Sequence, residues 1–374
     1  MSMKVSYSYL QRQFENADDI WVEVKKAVTD GDFTLGRRVE KFEEEFADFI
    51  GTKYAVGVNS GTDALRLSLI ALGIGKNSTD EVITTANTFV ATAGAIETAG
   101  AKIRFVDCNS KYVMDIDKIE AAITDKTKAI MPVHYSGQPV DMDRLMKIAE
   151  QYKLHVVEDA CCAIDAEFNK KRCGTFGISA GFSLHPQKNL NVWSDGGLVT
   201  TNSVEMRDQL RLLRNHGMID RDHYAFYGYN SRLDTVQAVV GSYLLKDVKW
   251  ITHRRIEVAD RIDKGLKELA PRVVIPVRDT SERRVYHMYM VLVEKRDELY
   301  SWLLSKGVDA KIHYPIPLHL QQASSKLGYR LGDFPVAESQ AKNIISFPAH
   351  QHLTDEEVDY MLETVREFYL SQES

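Results

Sequence analysis

The sequence predicts an α/β protein: a large unit built on a mostly parallel sheet flanked by helices, followed by a smaller α/β unit. Three observations predict it. Short apolar runs bounded by polar turns alternate with runs of helical period through the first 250 or so residues, the pattern of strands joined by crossover helices. One of these strands, HVVED at 155–159, ends on two carboxylates, and in open α/β sheets ligands gather at the carboxyl ends of strands. From Pro271 onward the texture changes to strands and helices of a second core. The chain is therefore divided into residues 1–250 and 251–374, and a length of 374 residues suits two cores.

The elements follow in order. Residues 14–30 place Ile20, Val24, Ala27 and Val28 at helical spacing and stop at Asp30-Gly31, and residues 38–50 put Val39, Phe42, Phe46 and Phe49 on one face and stop at Gly51. Core packing accounts for both. A strand at 54–59 runs into Ser60-Gly61-Thr62-Asp63 and a helix at 64–72. The free N–H groups of that first turn, aided by the helix dipole, suit an anion; a plain cap by Ser60 or Thr62 is the alternative. A strand at 81–85 precedes a small-residue helix at 87–99, with Phe89 at the junction as either core or a stacking surface for a flat ring. Strands at 103–107 and 128–133 flank a helix near 116–123, and a helix to about 152 leads into 155–159, where alternation sets Glu158 and Asp159 on opposite faces.

The stretch GFSLHPQKNLNVWSDGGLVTTN, 181–202, carries the chemistry. Lys188 stands in the connection between two apolar strands, 178–184 and 198–201. Most lysines are solvated surface charges, but one held between buried strands is partly desolvated. Its pKa is then expected to fall toward neutrality, making it a nucleophile able to form a Schiff base with an aldehyde. We expect Lys188 to carry pyridoxal phosphate (PLP). That cofactor also needs a carboxylate to keep its pyridine nitrogen protonated, and Asp159 is placed for this, a helix cap being the alternative.

Beyond it lie a helix at 205–215, a polar and aromatic loop at 218–229 with Arg221, His223, Tyr224 and Tyr227, and a helix that opens after 228 and runs to about 245. A long amphipathic helix at 254–269, strands near 273–275 and 286–293, a helix at 298–306 and a terminal helix at 355–369 complete the chain. The loop 218–229 is either a substrate contact or a surface lid.

Composition excludes several classes. With 44% hydrophobic and 27% charged residues the chain is an ordinary globular one, and its net charge of -6 argues against nucleic acid or an anionic membrane as partner. MSMKVSYSYLQRQFENADD lacks a signal-peptide apolar core, and no run approaches the roughly 20 apolar residues of a membrane span. The four cysteines, Cys108, Cys161, Cys162 and Cys173, read as reduced thiols, so a cytoplasmic location is expected. The eleven histidines form no HxxxH or HExxH pattern, and no metal is expected.

Five segments in order, SGTDAL at 60–65, TFVAT at 88–92, VVEDA at 156–160, SLHPQKNL at 183–190 followed by DGG, and GYNSRLDTVQA at 228–238, make the chain resemble the PLP-dependent sugar aminotransferases of the DegT/DnrJ/EryC1 family. The resemblance covers nearly the whole chain. It implies fold type I of the PLP-dependent transferases, with a mixed, mostly parallel seven-stranded sheet. It implies Lys188 as the Schiff-base lysine, Asp159 as the partner of the pyridine nitrogen, and Ser60, Gly61, Thr62 and Ser183 as phosphate ligands. Phe89 stacks on the ring, and Asn230 reaches the phosphate of the neighbouring subunit, so a homodimer with sites at its interface is implied. His185, Tyr227, His313 and Tyr314 are candidate substrate residues, a buried turn being an equal account of the last two.

Two departures stand out. The family's usual EDAAQ or EDAAH is here Glu158-Asp-Ala-Cys161-Cys162, so Cys162 takes the place of a residue that packs near the cofactor's phenolic oxygen, and a thiol is the poorer hydrogen-bond partner. Leu184 replaces an aromatic residue. The activity implied is transfer of an amino group from L-glutamate to a UDP- or dTDP-linked 3-keto or 4-keto deoxysugar for amino-sugar biosynthesis, with cofactor cycling through pyridoxamine phosphate. The alternatives are a sugar dehydratase, in which a histidine replaces the lysine, and a catalytically silent PLP-binding protein. Lys188 argues against the first.

Overall fold

A computed structural model describes residues 3–371. The large unit is a seven-stranded sheet of β1 (Tyr54–Val58), β2 (Glu81–Thr85), β3 (Lys102–Val106), β4 (Thr127–Ile130), β5 (His155–Asp159), β6 (Ser179–Ser183) and β7 (Gly197–Thr201), in the order β1-β7-β6-β5-β4-β2-β3. The run from β6 to β3 is parallel, and β7 pairs antiparallel with both β1 and β6. The strands are buried on both faces, so they read as nearly continuous apolar runs rather than alternating ones.

Helices cover the sheet because each buries one stripe. In α1 (Asp18–Thr29) Ile20 and Ala27 are buried, but Val28, expected on the same face, is exposed. In α2 (Arg37–Ile50) Val39, Phe42 and Phe46 are fully buried, the Phe46 ring meeting Phe182 of β6 edge-on at 5.1 Å. Gly51 ends that helix at φ 91°, a left-handed conformation suited to glycine. On the sheet's cavity side, α3 (Gly61–Ala71) and α4 (Val90–Thr98) begin directly after β1 and shortly after β2.

The smaller sheet joins β8 (Val273–Val274), β9 (Tyr289–Val293) and β10 (Ile344–Phe347) in antiparallel fashion. Its core takes in residues of α5 (Val248–Leu266), α6 (Arg296–Ser305) and α7 (Asp355–Leu370), and also Val5 from the start of the chain. Val5 bridges Val308 in parallel, so the N-terminal residues pack with the C-terminal sheet.

Three readings from sequence need correction. The helix expected at 254–269 starts at Val248 and ends at Leu266: Val248, Ile251, Thr252 and Arg255 continue its buried face, and the polar Thr252 and Arg255 on that face, with the apolar Trp250 exposed opposite, obscure the period. A helix, Pro335–Asn343, leads straight into β10, and neither was expected. Proline at the helix start and a strand of only four residues give little period to read. A small sheet of Glu167–Phe168, Lys171–Arg172 and Glu282–Arg283 was likewise unread, being made of two-residue strands. Among the described residues no helix is long and apolar enough to cross a membrane.

Phe46 is fully buried and fills the space between α2 and β6. Phe46→Ala is expected to lower unfolding stability by about 3–5 kcal/mol, read as a lowered denaturant midpoint at unchanged slope.

Candidate active site

The cavity lies at the carboxyl ends of β5 and β6, between the large sheet and the smaller unit, and has a volume of about 600 Å³. Of the residues singled out from sequence, Ser60, Gly61, Thr62, Phe89, Asp159, Cys162, Ser183, His185, Lys188, His313 and Tyr314 all line it. Tyr227 and Asn230 lie outside the cavity of their own chain, Tyr227 fully exposed and Asn230 accepting from Arg232 Nε at 3.0 Å.

Strand alternation separates the two carboxylates of β5. Glu158 points away from the cavity and is completely buried; it accepts the amides of Gly174 at 2.7 Å and of Phe176 and Gly177 at 2.8 Å. His134 Nδ1 accepts the Val140 amide, so its proton lies on Nε2, which donates to Glu158 at 3.1 Å. Burial pushes the Glu158 carboxyl up, but these donors outweigh it and hold it below the ordinary range. Asp159 faces the cavity. Its Oδ2 accepts Thr92 Oγ1 at 2.7 Å and its Oδ1 the Cys161 amide at 3.1 Å, which fixes the carboxylate plane.

The lysine loop joins β6 to β7 and is pinned from several sides. Tyr9 Oη donates to the Lys188 carbonyl at 2.7 Å, Asn189 Nδ2 to Val285 O at 2.8 Å and Asn191 Nδ2 to Pro186 O at 2.6 Å. Leu184, where the resemblance calls for an aromatic, is buried in the core. Lys188 Nζ donates to Cys162 Sγ at 3.1 Å. The depressed lysine pKa expected from sequence is overturned: burial pushes the amine down, but Cys162 and Cys161 push it up further, and the net direction is up. Sequence gives the desolvation and not the sulfur neighbours.

At the other end, Ser60 caps α3 by accepting the Asp63 amide at 3.1 Å, which settles the choice between Ser60 and Thr62 as the cap. The first turn of α3 packs hard against β6 and β7. A Cβ on Gly61 would stand 2.7 Å from Ser183 Cβ and 2.8 Å from Cys161 Sγ, and one on Gly197 would stand 2.3 Å from Ser60 O. The second glycine of the DGG motif is thus required for the turn to approach the sheet.

The remaining wall is aromatic. Phe89 and Tyr314 lie 5.9 Å apart, His313 meets Tyr314 edge-on at 5.3 Å, and Tyr135 Oη donates to the His313 carbonyl at 3.1 Å. Burial lowers His313 from the ordinary 6.5 to about 4, with Lys188 and Lys311 adding to it, and raises Tyr314 to about 12. Sequence reasoning missed Tyr7, Tyr9, Tyr135, Arg255, His287 and His350, which also line the cavity. They come from the N-terminal segment, a loop and the smaller unit, and only the fold brings them together.

These residues fit PLP. A turn of free amides, a lysine amine and a fixed carboxylate line one cavity whose volume suits a cofactor with a small substrate. The fold is that of a fold type I PLP-dependent transferase. The DegT/DnrJ/EryC1/StrS aminotransferase family model matches residues 15–366. A pleiotropic regulatory protein of Geobacillus stearothermophilus is 38% identical over 98% of this chain and 99% of its own. The dTDP-3-amino-3,4,6-trideoxy-alpha-D-glucose transaminase of Streptomyces venezuelae is 37% identical over 98% of this chain and 95% of its own. The crystal structure of S. venezuelae DesV in complex with a ketimine intermediate superposes with a TM-score of 0.94 at 37% identity, covering 98% of each chain. The chain belongs to the DegT/DnrJ/EryC1/StrS aminotransferase family, and it is a PLP-dependent aminotransferase.

Because folded His313 holds its proton only below about 4 whereas an unfolded histidine takes one near 6.5, the unfolded chain binds more protons in that window and stability falls as pH drops through it. Thermal midpoints are expected to decline from pH 6.5 to 4, and His313→Asn to make the decline shallower; an unchanged slope in the variant counts against this account of His313.

Proposed function

We propose that the enzyme transfers the amino group of L-glutamate to the C3 or C4 ketone of a nucleotide-linked deoxysugar carrying UDP or dTDP, in amino-sugar biosynthesis. The observation that carries the reading is Lys188 and Asp159 lining one cavity, in a chain that aligns over nearly its whole length with a transaminase named for a dTDP-sugar. When bound, PLP supplies an aldehyde for the amine and a protonated ring that accepts electron density from the substrate's Cα.

The chain's residues do the rest. We assign Lys188 as the residue that would hold the cofactor covalently and whose Nζ, once free, would take the Cα proton of the amino donor as general base and deliver it to the cofactor's C4′ as general acid. Asp159, held by Thr92 and the Cys161 amide, would pair with the pyridine nitrogen and keep it protonated. The amides of Gly61 and Thr62 with the hydroxyls of Ser60, Thr62 and Ser183 would hold the phosphate, Phe89 would stack on the ring and Cys162 would pack near the phenolic oxygen. His185, Tyr227, His313 and Tyr314 contact the sugar.

Asn230 and Tyr227, outside their own cavity, serve the site of a second copy, so the working unit is a homodimer divided, in each chain, near residue 250. An exposed, aromatic loop at 218–229, with Tyr224 and Tyr227 both in solvent, supports this. We place the enzyme in the cytoplasm, where its nucleotide-sugar substrates and thiol reductants occur; all four cysteines are free.

Purified protein is expected to show a band near ~420 nm that moves toward ~330 nm on adding L-glutamate, as the cofactor chemistry requires. Lys188→Ala abolishes both the band and turnover. A band that no amino acid shifts would make the protein a PLP binder without transaminase activity. Mixing Lys188→Ala with Asn230→Ala protein, each inactive, is expected to regain activity, because one site of the mixed dimer then holds both natural residues. No recovery with mixed dimers present would remove Asn230 from the partner's site.

A further inference from the structure

We propose that Cys162 and Lys188 form a covalent modification site for peroxides, in which oxidised Cys162 is captured by the Lys188 amine to give a sulfur–nitrogen bond. Lys188 Nζ already lies 3.1 Å from Cys162 Sγ. Both line the same cavity, and Cys162 is half-buried there, within reach of a small oxidant.

The chemistry balances with one equivalent of hydrogen peroxide. The Cys162 sulfur attacks the peroxide O–O bond, giving a sulfenic acid and water; sulfur is oxidised by two electrons and the peroxide reduced by two. The Lys188 ammonium gives one proton to solvent, its neutral nitrogen attacks the sulfenic sulfur, the S–O bond breaks, hydroxide leaves with a second proton from the nitrogen as a second water, and an S–N bond remains. Sulfenic acids condense with backbone nitrogen in the same way. Two thiol equivalents reverse the bond: the first attacks the Cys162 sulfur and releases the Lys188 amine with its proton, and the second reduces the mixed disulfide to leave the Cys162 thiol and a disulfide of the reductant.

Geometry favours Lys188 over the competing nucleophile, Cys161. The Cys161 sulfur is turned toward Gly181 O at 3.6 Å and packs against the first turn of α3, where a Cβ on Gly61 would come within 2.8 Å of it. A disulfide between adjacent cysteines needs a strained ring in a turn already fixed by the Cys161 amide on Asp159 and the Ala163 amide on Ala160 O. Lys188 needs only its four-carbon stem to move, because its backbone is held by Tyr9.

The test strips full-length protein of resident PLP by dialysis with hydroxylamine, treats it with hydrogen peroxide with and without saturating PLP added back, and maps tryptic peptides. Without added PLP the expected product joins the Cys162 and Lys188 peptides at the sum of their masses less two hydrogens, with no cleavage after Lys188. Dithiothreitol separates them, Cys162→Ser forms none and Cys161→Ser still forms it. Cys162 found unreacted, as sulfinic acid, or joined to Cys161, with cleavage after Lys188 intact, overturns the proposal. Only the PLP arm rests on the assignment of Lys188 to the cofactor: PLP is expected to protect, and linkage that forms equally in its presence leaves the modification standing while removing that assignment.

Discussion

The rest of the site depends on β5 placing two adjacent carboxylates on opposite sides of the sheet. Glu158 is buried among three backbone amides and His134, and so fixes the loop Gly174–Gly177 that leads into β6. A buried carboxylate with fewer donors would be costly to keep charged. Because that side is satisfied, Asp159 is free to serve the cavity, and β6 arrives in register beside it, with Asp159 opposite Gly181. One residue's slip in β5 would exchange the two roles.

Much of this was legible in the sequence. The strands of the large sheet are buried on both faces and bounded by polar turns, so their apolar runs stand out, and 155–159 and 81–85 match the observed strands residue for residue. The lysine motif and the SGTD turn were legible because the chemistry needs those residue types in local order, and Gly197 shows the physical reason for one of them. The fold class and the family follow from these segments together.

What was not legible arises from contacts between distant parts of the chain. The upward shift of Lys188 comes from Cys162 and Cys161, whose place beside it depends on β5 and β6 being neighbours. Tyr9 reaches the cavity from the first ten residues and Arg255 from α5, with the guanidinium carbon 5.0 Å from the tyrosine ring, and no local period announces either. Helix Pro335–Asn343 and β10 were missed for the opposite reason: each is short, and their burial is decided by the smaller sheet they complete.

The link from Tyr9 to the lysine loop has a consequence for how the protein is made. Val5 pairs with Val308, the Tyr7 amide donates to Asp309 at 3.3 Å, and His350 Nε2 meets Ser6 O at 3.1 Å. Val5, Ser6 and Tyr7 thus find their partners some three hundred residues further along, closures of the most distant and slowest kind. The large sheet can form before then, but the strap that steadies Lys188 cannot. A chain that has folded its large sheet alone thus holds Lys188 in place with the support of its loop incomplete.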